Sequence, residues 1–308
     1  MMSFLSWLQQ VLNIGKAPQR PLNPADFHPV PSPELEVPWR QVNWNEKEKI
    51  LENLQLLKPT VEPLRILLHG PVGAGKSCFI NSVQKVLLGR NVSIALASSK
   101  DTGQSFTLSI KTHKLKKRDD GHYPFVFCDI MGLETDEEGI DTGDIINVLE
   151  GHILDGYTFS SISPVTENDP KYNHCPDLSE KVHCLVSIVP ADAISIIDHS
   201  VIDKMRTIRQ RASDLGIPQV IVLTKVDVAC EMVREDLRKL YHSRKIKEKV
   251  EESSIQLGIP MKNIYPVKNF HAEITEDSDT DVIILMALID IVNFASDYVE
   301  KVHEQSDN

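Results

Sequence analysis

The sequence predicts an α/β fold, a mostly parallel, doubly wound sheet with helices on both faces. Three observations carry that expectation. Short apolar runs, LRILLH (64–69), PFVFCD (124–129), VHCLVSIV (182–189) and QVIVLT (219–224), alternate with amphipathic stretches, the pattern of βαβ units. The first run passes straight into a glycine-rich loop and then a helical pattern. The chain has 308 residues, 41% hydrophobic and 25% charged, enough for a full core in one large domain or two small ones. No internal repeat is visible.

Taken in order, residues 1–16 place Phe4, Leu5, Leu8, Val11 and Leu12 on one helical face. This segment lacks the positive start and continuous apolar stretch of a signal peptide. Docking on the core or on a partner is favoured. A membrane anchor through residues 1–14 is the weaker alternative, because only Lys16 and Arg20 add positive charge nearby. Residues 17–38 are proline-rich and read as an extended linker rather than an SH3-type ligand. The main domain is expected over 39–303. It opens with a helix over 46–57, capped by Asn45 and ended by Pro59.

Further helices are expected at 75–88, 144–154, 197–214, 231–256 and 281–302, an edge strand at 106–111, and a last short strand at 263–267. The basic run Lys111–Arg118 reads as the solvated tip of a hairpin before the turn at 119–121. The extra chain near 156–181 reads as a surface insertion. His174, Cys175 and His183 in or near it fit no zinc spacing.

Charge and cysteine content narrow the function. Lys plus Arg is 33 and Asp plus Glu is 44, a net charge of −11, which argues against nonspecific binding to nucleic acid. No run of 18 apolar residues signals a spanning helix. Five cysteines without a CxxC make neither a disulfide framework nor a zinc site, so a reducing, cytoplasmic setting is expected.

The loop Gly70-Pro71-Val72-Gly73-Ala74-Gly75-Lys76-Ser77 satisfies GxxxxGK[ST] in its strand–loop–helix context. Its amides can cradle phosphate oxygens at a helix N-terminus. Lys76 is assigned to the β- and γ-phosphates and the Ser77 hydroxyl to Mg²⁺. Cys78 follows the loop, its thiol read as packed rather than reactive. The strand 124–129 ends in Asp129-Ile130-Met131-Gly132, a DxxG pattern in which Asp129 would hold Mg²⁺ through water and the Gly132 amide would meet the γ-phosphate. The strand 219–224 ends in Thr224-Lys225-Val226-Asp227, matching [NT]KxD. Asp227 can accept two hydrogen bonds from the guanine N1–H and N2–H₂ edge, which adenine lacks. Such bonds to a charged group are worth about 1.5–3 kcal/mol each, so GTP or GDP is favoured over ATP. Lys225 would lie along the base, and Thr224 stands where many GTPases carry Asn. After the last strand, Lys268 or Asn269 is the candidate neighbour of the guanine O6. Thr102, beside Gly103, is the preferred switch I ligand to Mg²⁺, over Thr107. The fold expected is therefore that of a P-loop NTPase G domain.

With these motifs in place, the chain resembles the interferon-induced protein 44 family, including its 44-like members, a vertebrate group related to GTPases. The resemblance rests on LLHGPVGAGKSCFINSV (67–83), FVFCDIMGLE (125–134), VHCLVSIVPA (182–191) and VPWRQVNW (37–44), and spans roughly 37–302. It implies an interferon-responsive, cytosolic protein in antiviral or immune defence. Longer members carry a TLDc-type domain ahead of the G domain. Here the N-terminal helix and linker stand in that place, so no function of that domain is carried over.

Leu133 occupies the position where efficient small GTPases place a water-orienting glutamine. Hydrolysis is expected to be slow or to depend on a protein partner or self-association, and no catalytic residue is assigned. The acidic stretch 134–144 is read as a solvated switch II. Two readings stay open: a guanine-nucleotide switch, and a nucleotide-binding or degenerate scaffold acting through protein contacts. A membrane-remodelling role through residues 1–14 and an ATP-dependent kinase rank below them, since the TKVD motif would have no role in a kinase.

Overall fold

The computed structural model describes residues 32–95, 109–135, 139–160, 163–271, 273 and 275–306. The expected N-terminal helix, most of the proline-rich linker, Thr102, Thr107 and residues 106–108 of the expected edge strand lie outside the described residues.

Six strands form one sheet: β1 (Leu64–His69), β2 (Lys111–Lys116), β3 (His122–Asp129), β4 (Cys184–Pro190), β5 (Gln219–Thr224) and β6 (Ile264–Pro266). Their order is β2-β3-β1-β4-β5-β6. All neighbours are parallel except β2 and β3. The continuous apolar runs have their physical reason here. Helices cover both faces, so every residue of β4 is buried and β1 admits only Arg65 to partial exposure. One face carries α1 (Lys47–Leu56), α2 (Lys76–Leu88) and the closing helix, whereas the other carries α3 (Thr142–Leu149), α4 (His199–Asp214) and α7 (Arg244–Leu257). Between β5 and α7 run the short helices α5 (Val226–Ala229) and α6 (Glu231–Glu235). The closing helix is α8 (Ser278–Ser306). The α/β architecture expected from the sequence is present.

Several elements differ from expectation. The basic run is not a hairpin tip: Lys111–Lys116 is itself the edge strand, antiparallel to β3. Leu115 turns into the core while Lys111, Lys114 and Lys116 face solvent, and only 117–121 turns, closed by the Lys117 amide on the Gly121 carbonyl at 3.1 Å. Lysines on an edge strand discourage pairing with another chain. The long helix expected at 231–256 is broken. Asp236 caps a 3₁₀ turn at Leu237–Lys239, and Ser243 starts α7 afresh by accepting from the Ile246 amide at 3.2 Å. Between them Tyr241 enters the core and meets Trp39 edge-on, ring centres 4.9 Å apart. Helix α3 starts earlier than expected, with Asp141 accepting from the Gly143 amide at 2.7 Å, and stops short of Gly151. Asn45 does not cap α1; the cap position is Glu46, with no side-chain bond.

Helix α8 is long and apolar enough to cross a membrane by length and composition alone, although no uninterrupted apolar run marks it. In the fold it is a core helix. Ile284, Leu285, Leu288 and Ile291 are fully buried, and it packs on α1, α2, β1, β4 and β6. Each such side chain contributes roughly 1.5–3 kcal/mol on burial, so the protein interior already satisfies the stripe. Lys47 of α1 clamps it through buried Asp281 at 2.7 Å. The segment before α1 is also integrated. Arg40 donates to the carbonyls of Met261 and Ile264, at 2.6 and 2.8 Å, and lies over the Trp39, Tyr241 and Tyr265 rings.

Candidate nucleotide site

The sheet order reverses around β1. The chain leaving β1 passes to the edge strand β2 and returns through β3, and the chain leaving β3 crosses β1 to reach β4. A crevice at the carboxyl ends of the strands is the place for a ligand in such sheets. The carboxyl end of β1 feeds residues 70–75, that of β3 ends in Asp129, that of β5 ends in Thr224, and that of β6 leads to Lys268 and Asn269.

The loop leaves β1 through Gly70 at φ 145°, where a Cβ would stand 2.1 Å from the Ile188 carbonyl oxygen. No other residue fits that passage. Lys76 at the start of α2 is buried, and its ammonium donates back across the loop to the carbonyls of Gly70 and Pro71, at 3.2 and 3.3 Å. Burial pulls its pKa down to about 8, against the fields of Asp129 and Glu134, which raise it. Beneath the loop, His69 is fully buried, bonded to the Ser187 hydroxyl at 2.7 Å. Burial and the Lys76 charge hold it neutral, with a pKa of about 3.

The Ser77 hydroxyl donates to Asp129 Oδ2 at 2.9 Å. Asp129 is buried, and its Oδ1 has no hydrogen-bond partner among the described residues. Burial raises its pKa, opposed by Lys76, the Ser77 bond, His113 and Lys111. A buried carboxylate oxygen without a partner, next to a hydroxyl, is costly unless a cation meets it. Oxygen donors of this kind suit a hard divalent ion, so Ser77 and Asp129 fit Mg²⁺. Thr102, the third expected ligand, lies outside the described residues. The chain leading toward it is pinned by Asn81 of α2, whose Oδ1 accepts from the amides of Ile94 and Ala95 at 2.9 and 3.0 Å. Cys78 is partly buried, and burial pushes its thiol up, so it stays protonated.

At the other end, Thr224 is fully buried and donates to the Ala74 carbonyl at 2.6 Å. The shorter side chain still ties the strand end to the glycine-rich loop. Lys225 is the one non-glycine residue with positive φ (59°) among the described residues. Such strain concentrates at functional positions. It turns the chain so that Asp227 falls in the first turn of α5, close enough for its charge to act on Lys268. Lys268 pairs with Glu273 at 2.8 Å and Asp277 at 3.8 Å. Burial works against its charge, yet these carboxylates raise its pKa. Asn269 donates to the Gly75 carbonyl at 3.4 Å, and its buried Oδ1 has no partner among the described residues.

Two further residues of α2 shape this end and carry no motif. Ser82 accepts from the Phe270 amide at 3.0 Å. Lys85, almost fully buried, donates to the carbonyls of Glu273 and Thr275 at 2.8 and 3.3 Å and lies 4.0 Å above the Phe270 ring. Ser82, Gln84 and Lys85 are polar residues buried on α2, and no motif in the sequence marks them.

At its described residues the acidic stretch 134–144, expected to be solvated, is partly buried and tied to the fold. Leu133 is buried, and its backbone pairs with the glycine-rich loop. Ile140 is buried, and Asp144 accepts from the Val165 amide at 2.8 Å, which ties α3 to the chain near 165. His183, near the expected insertion, accepts from the Arg65 amide at 2.9 Å and donates to the Leu178 carbonyl at 2.7 Å, so both ring nitrogens serve the backbone.

No protein-family model matches the chain. Among solved structures, a probable GTP-binding protein engB aligns at 14% identity and a TM-score of 0.42, over 75% of this chain and 98% of that one. Translation elongation factor SelB from Methanococcus maripaludis, in complex with the GTP analogue GPPNHP, aligns at 10% identity and a TM-score of 0.39, over 76% and 34%. Likenesses at that level carry no functional weight. The sequence relatives are nearer. The chain is 33% identical over 255 residues to interferon-induced protein 44 of Mus musculus, covering 82% of this chain and 60% of that protein. It is 33% identical over 258 residues to the Homo sapiens protein, covering 82% and 58%. It is 30% identical over 259 residues to interferon-induced protein 44-like of Homo sapiens, covering 82% and 57%. The chain thus spans less than two thirds of the length of these relatives. Over the 82% of its length that aligns, the chain is a relative of the interferon-induced protein 44 and 44-like proteins.

Proposed function

We propose that this chain binds guanine nucleotide with Mg²⁺ and works as a GTP/GDP switch whose own hydrolysis is slow or partner-dependent. One observation carries the reading. Three motif segments far apart in sequence meet at one end of the sheet, with Ser77 bonded to Asp129 and Thr224 bonded to Ala74. In this reading the loop amides of 70–77 and Lys76 hold the phosphates, Ser77 and Asp129 hold the metal, and Asp227 selects guanine. Bound Mg²⁺ neutralises charge on phosphate oxygens. Lys268 and Asn269 line the base end, and Lys225 supports the base face.

Slow hydrolysis follows from Leu133. Its side chain is buried and apolar, so it neither orients nor polarises a water. Efficient GTPases use a polar group at that position, and an arginine supplied in trans is worth about 10³–10⁵ in rate. A partner or a second copy of the chain is the proposed source of such a group. An interferon-induced role is proposed from the names of the relatives; immune or antiviral defence is proposed from the family resemblance, and a cytoplasmic setting from the cysteine content.

Titration of the purified chain with labelled GDP, GTP and ATP, with and without Mg²⁺, tests the reading. Guanine-selective binding that Asp227→Ala removes is the expected result. No binding to any nucleotide would leave the scaffold reading, in which protein contacts are unchanged in Lys76→Ala.

A further inference from the structure

Resting on the guanine-nucleotide reading, we propose that residues 132–135 form a latch over the phosphate loop that makes the site prefer a nucleoside diphosphate, with Lys204 as the positioning residue that holds it. The Leu133 amide donates to the Gly70 carbonyl at 3.0 Å, and the Val72 amide donates to the Leu133 carbonyl at 3.2 Å. The two segments are joined as a short parallel bridge at Pro71 and Leu133. An amide of the phosphate loop is thereby engaged by protein.

Gly132 presses on the same loop. A Cβ built on it would meet Val72 Cγ2 at 2.5 Å and the Val72 backbone nitrogen at 2.9 Å. That contact leaves no layer of space between Gly132 and Val72 for a phosphoryl group. The charge of Glu134 acts on Lys76, so a carboxylate already shares the field of the lysine assigned to the outer phosphates. Adding the charge of a third phosphate beside it is unfavourable.

The latch is held from outside the cleft. Lys204 on α4 donates to the carbonyls of Glu134 and Thr135 at 3.0 and 3.2 Å. Gly139 closes behind it, where a Cβ would stand 3.1 Å from Glu134 Cβ. Lys204 belongs to no motif, and its two bonds to the latch run to backbone carbonyls. Two phosphates reach the amides of 73–77 with the latch in place; a third has to displace Gly132 and break the Val72–Leu133 bond.

The test uses the full chain with fluorescent GDP and fluorescent GTPγS in Mg²⁺. The wild type is expected to bind GDP at least about tenfold more tightly. Lys204→Met should raise GTPγS affinity about tenfold and leave GDP affinity unchanged, as loss of bonds from a charged donor implies. Lys204→Arg should keep the gap. Hydrogen exchange at the Val72 and Leu133 amides gives a second readout that needs no variant: slow with GDP, fast with GTPγS. Equal affinities in the wild type, an unchanged ratio in Lys204→Met, or equally slow exchange with both ligands would overturn the latch alone. Binding of GTPγS without GDP would also overturn the latch alone, and failure of the wild type to bind either ligand would overturn the nucleotide reading and the latch with it.

Discussion

The proposed phosphate end and the proposed base end of the site are built in opposite ways. The phosphate end is one contiguous piece, residues 70–77, whose glycines and lysine act within a single strand–loop–helix turn. The base end is assembled from three distant segments: Thr224–Asp227, the loop from Lys268 to Asp277, and Ser82 with Lys85 on α2. Its loop is held by the Phe270 amide on Ser82, by the Lys85 ammonium on two carbonyls, and by the Lys268–Glu273 pair. Damage to the first should therefore remove binding outright, and damage to the second should change which base is held and for how long.

The largest effect is expected from Lys76→Ala. It removes the charged donor at the phosphates and should weaken GDP binding by roughly 100-fold or more in calorimetry, at about 1.5–3 kcal/mol per charged hydrogen bond. Thermal stability should hold, because the variant also relieves a buried ammonium. Asp227→Ala should come next. GDP affinity is expected to fall by about 10–100-fold while ATP affinity stays where it was, since the phosphate end is intact. Equal losses for both nucleotides would place Asp227 in a structural role instead.

A smaller change is expected from Lys85→Met, which keeps the stem and removes the two carbonyl bonds. Dissociation of GDP should quicken about tenfold, with guanine preference reduced and the phosphate end untouched. If the dissociation rate is unmoved, the brace has no part in recognition. The mildest test is pH. Lys76 is charged below about 8 in the free protein, so its pull on phosphate is full at neutral pH and declines as pH rises through about 8. A bound phosphate stabilises the charged form, so binding near pH 8 should take up protons. Calorimetry in buffers of different ionisation enthalpy would reveal that uptake, and its absence in Lys76→Ala would assign it.

Much of this was legible in the residues. The strands β1 and β5 coincide with the apolar runs LRILLH and QVIVLT, because a strand covered on both faces has one composition and abrupt ends. Edge and surface elements were harder. The strand β2 is rich in lysine because Lys111, Lys114 and Lys116 face water, so composition suggested a turn. The break before α7 depends on Tyr241 finding Trp39, some 200 positions away in the chain. The caps at Asp236 and Ser243 are the local marks of it. The closing helix kept its apolar stripe under charged residues spaced along it, and the extent of its burial is a property of the strands beneath.

The sequence by itself determined the glycine-rich loop with its lysine and serine, the carboxylate at the end of β3 and the carboxylate in the turn after β5. Each is a local pattern in which neighbouring residues and backbone geometry do the work. Tertiary structure alone decided that Asp129 keeps one oxygen buried beside Ser77 and without a partner among the described residues, that Thr224 reaches Ala74, that Lys85 braces the loop after β6, and that Leu133 zips onto Gly70 and Val72 while Lys204 holds the carbonyls that follow. These depend on packing six strands side by side. That packing joins residues distant in the chain through close contacts whose energies no single segment contains.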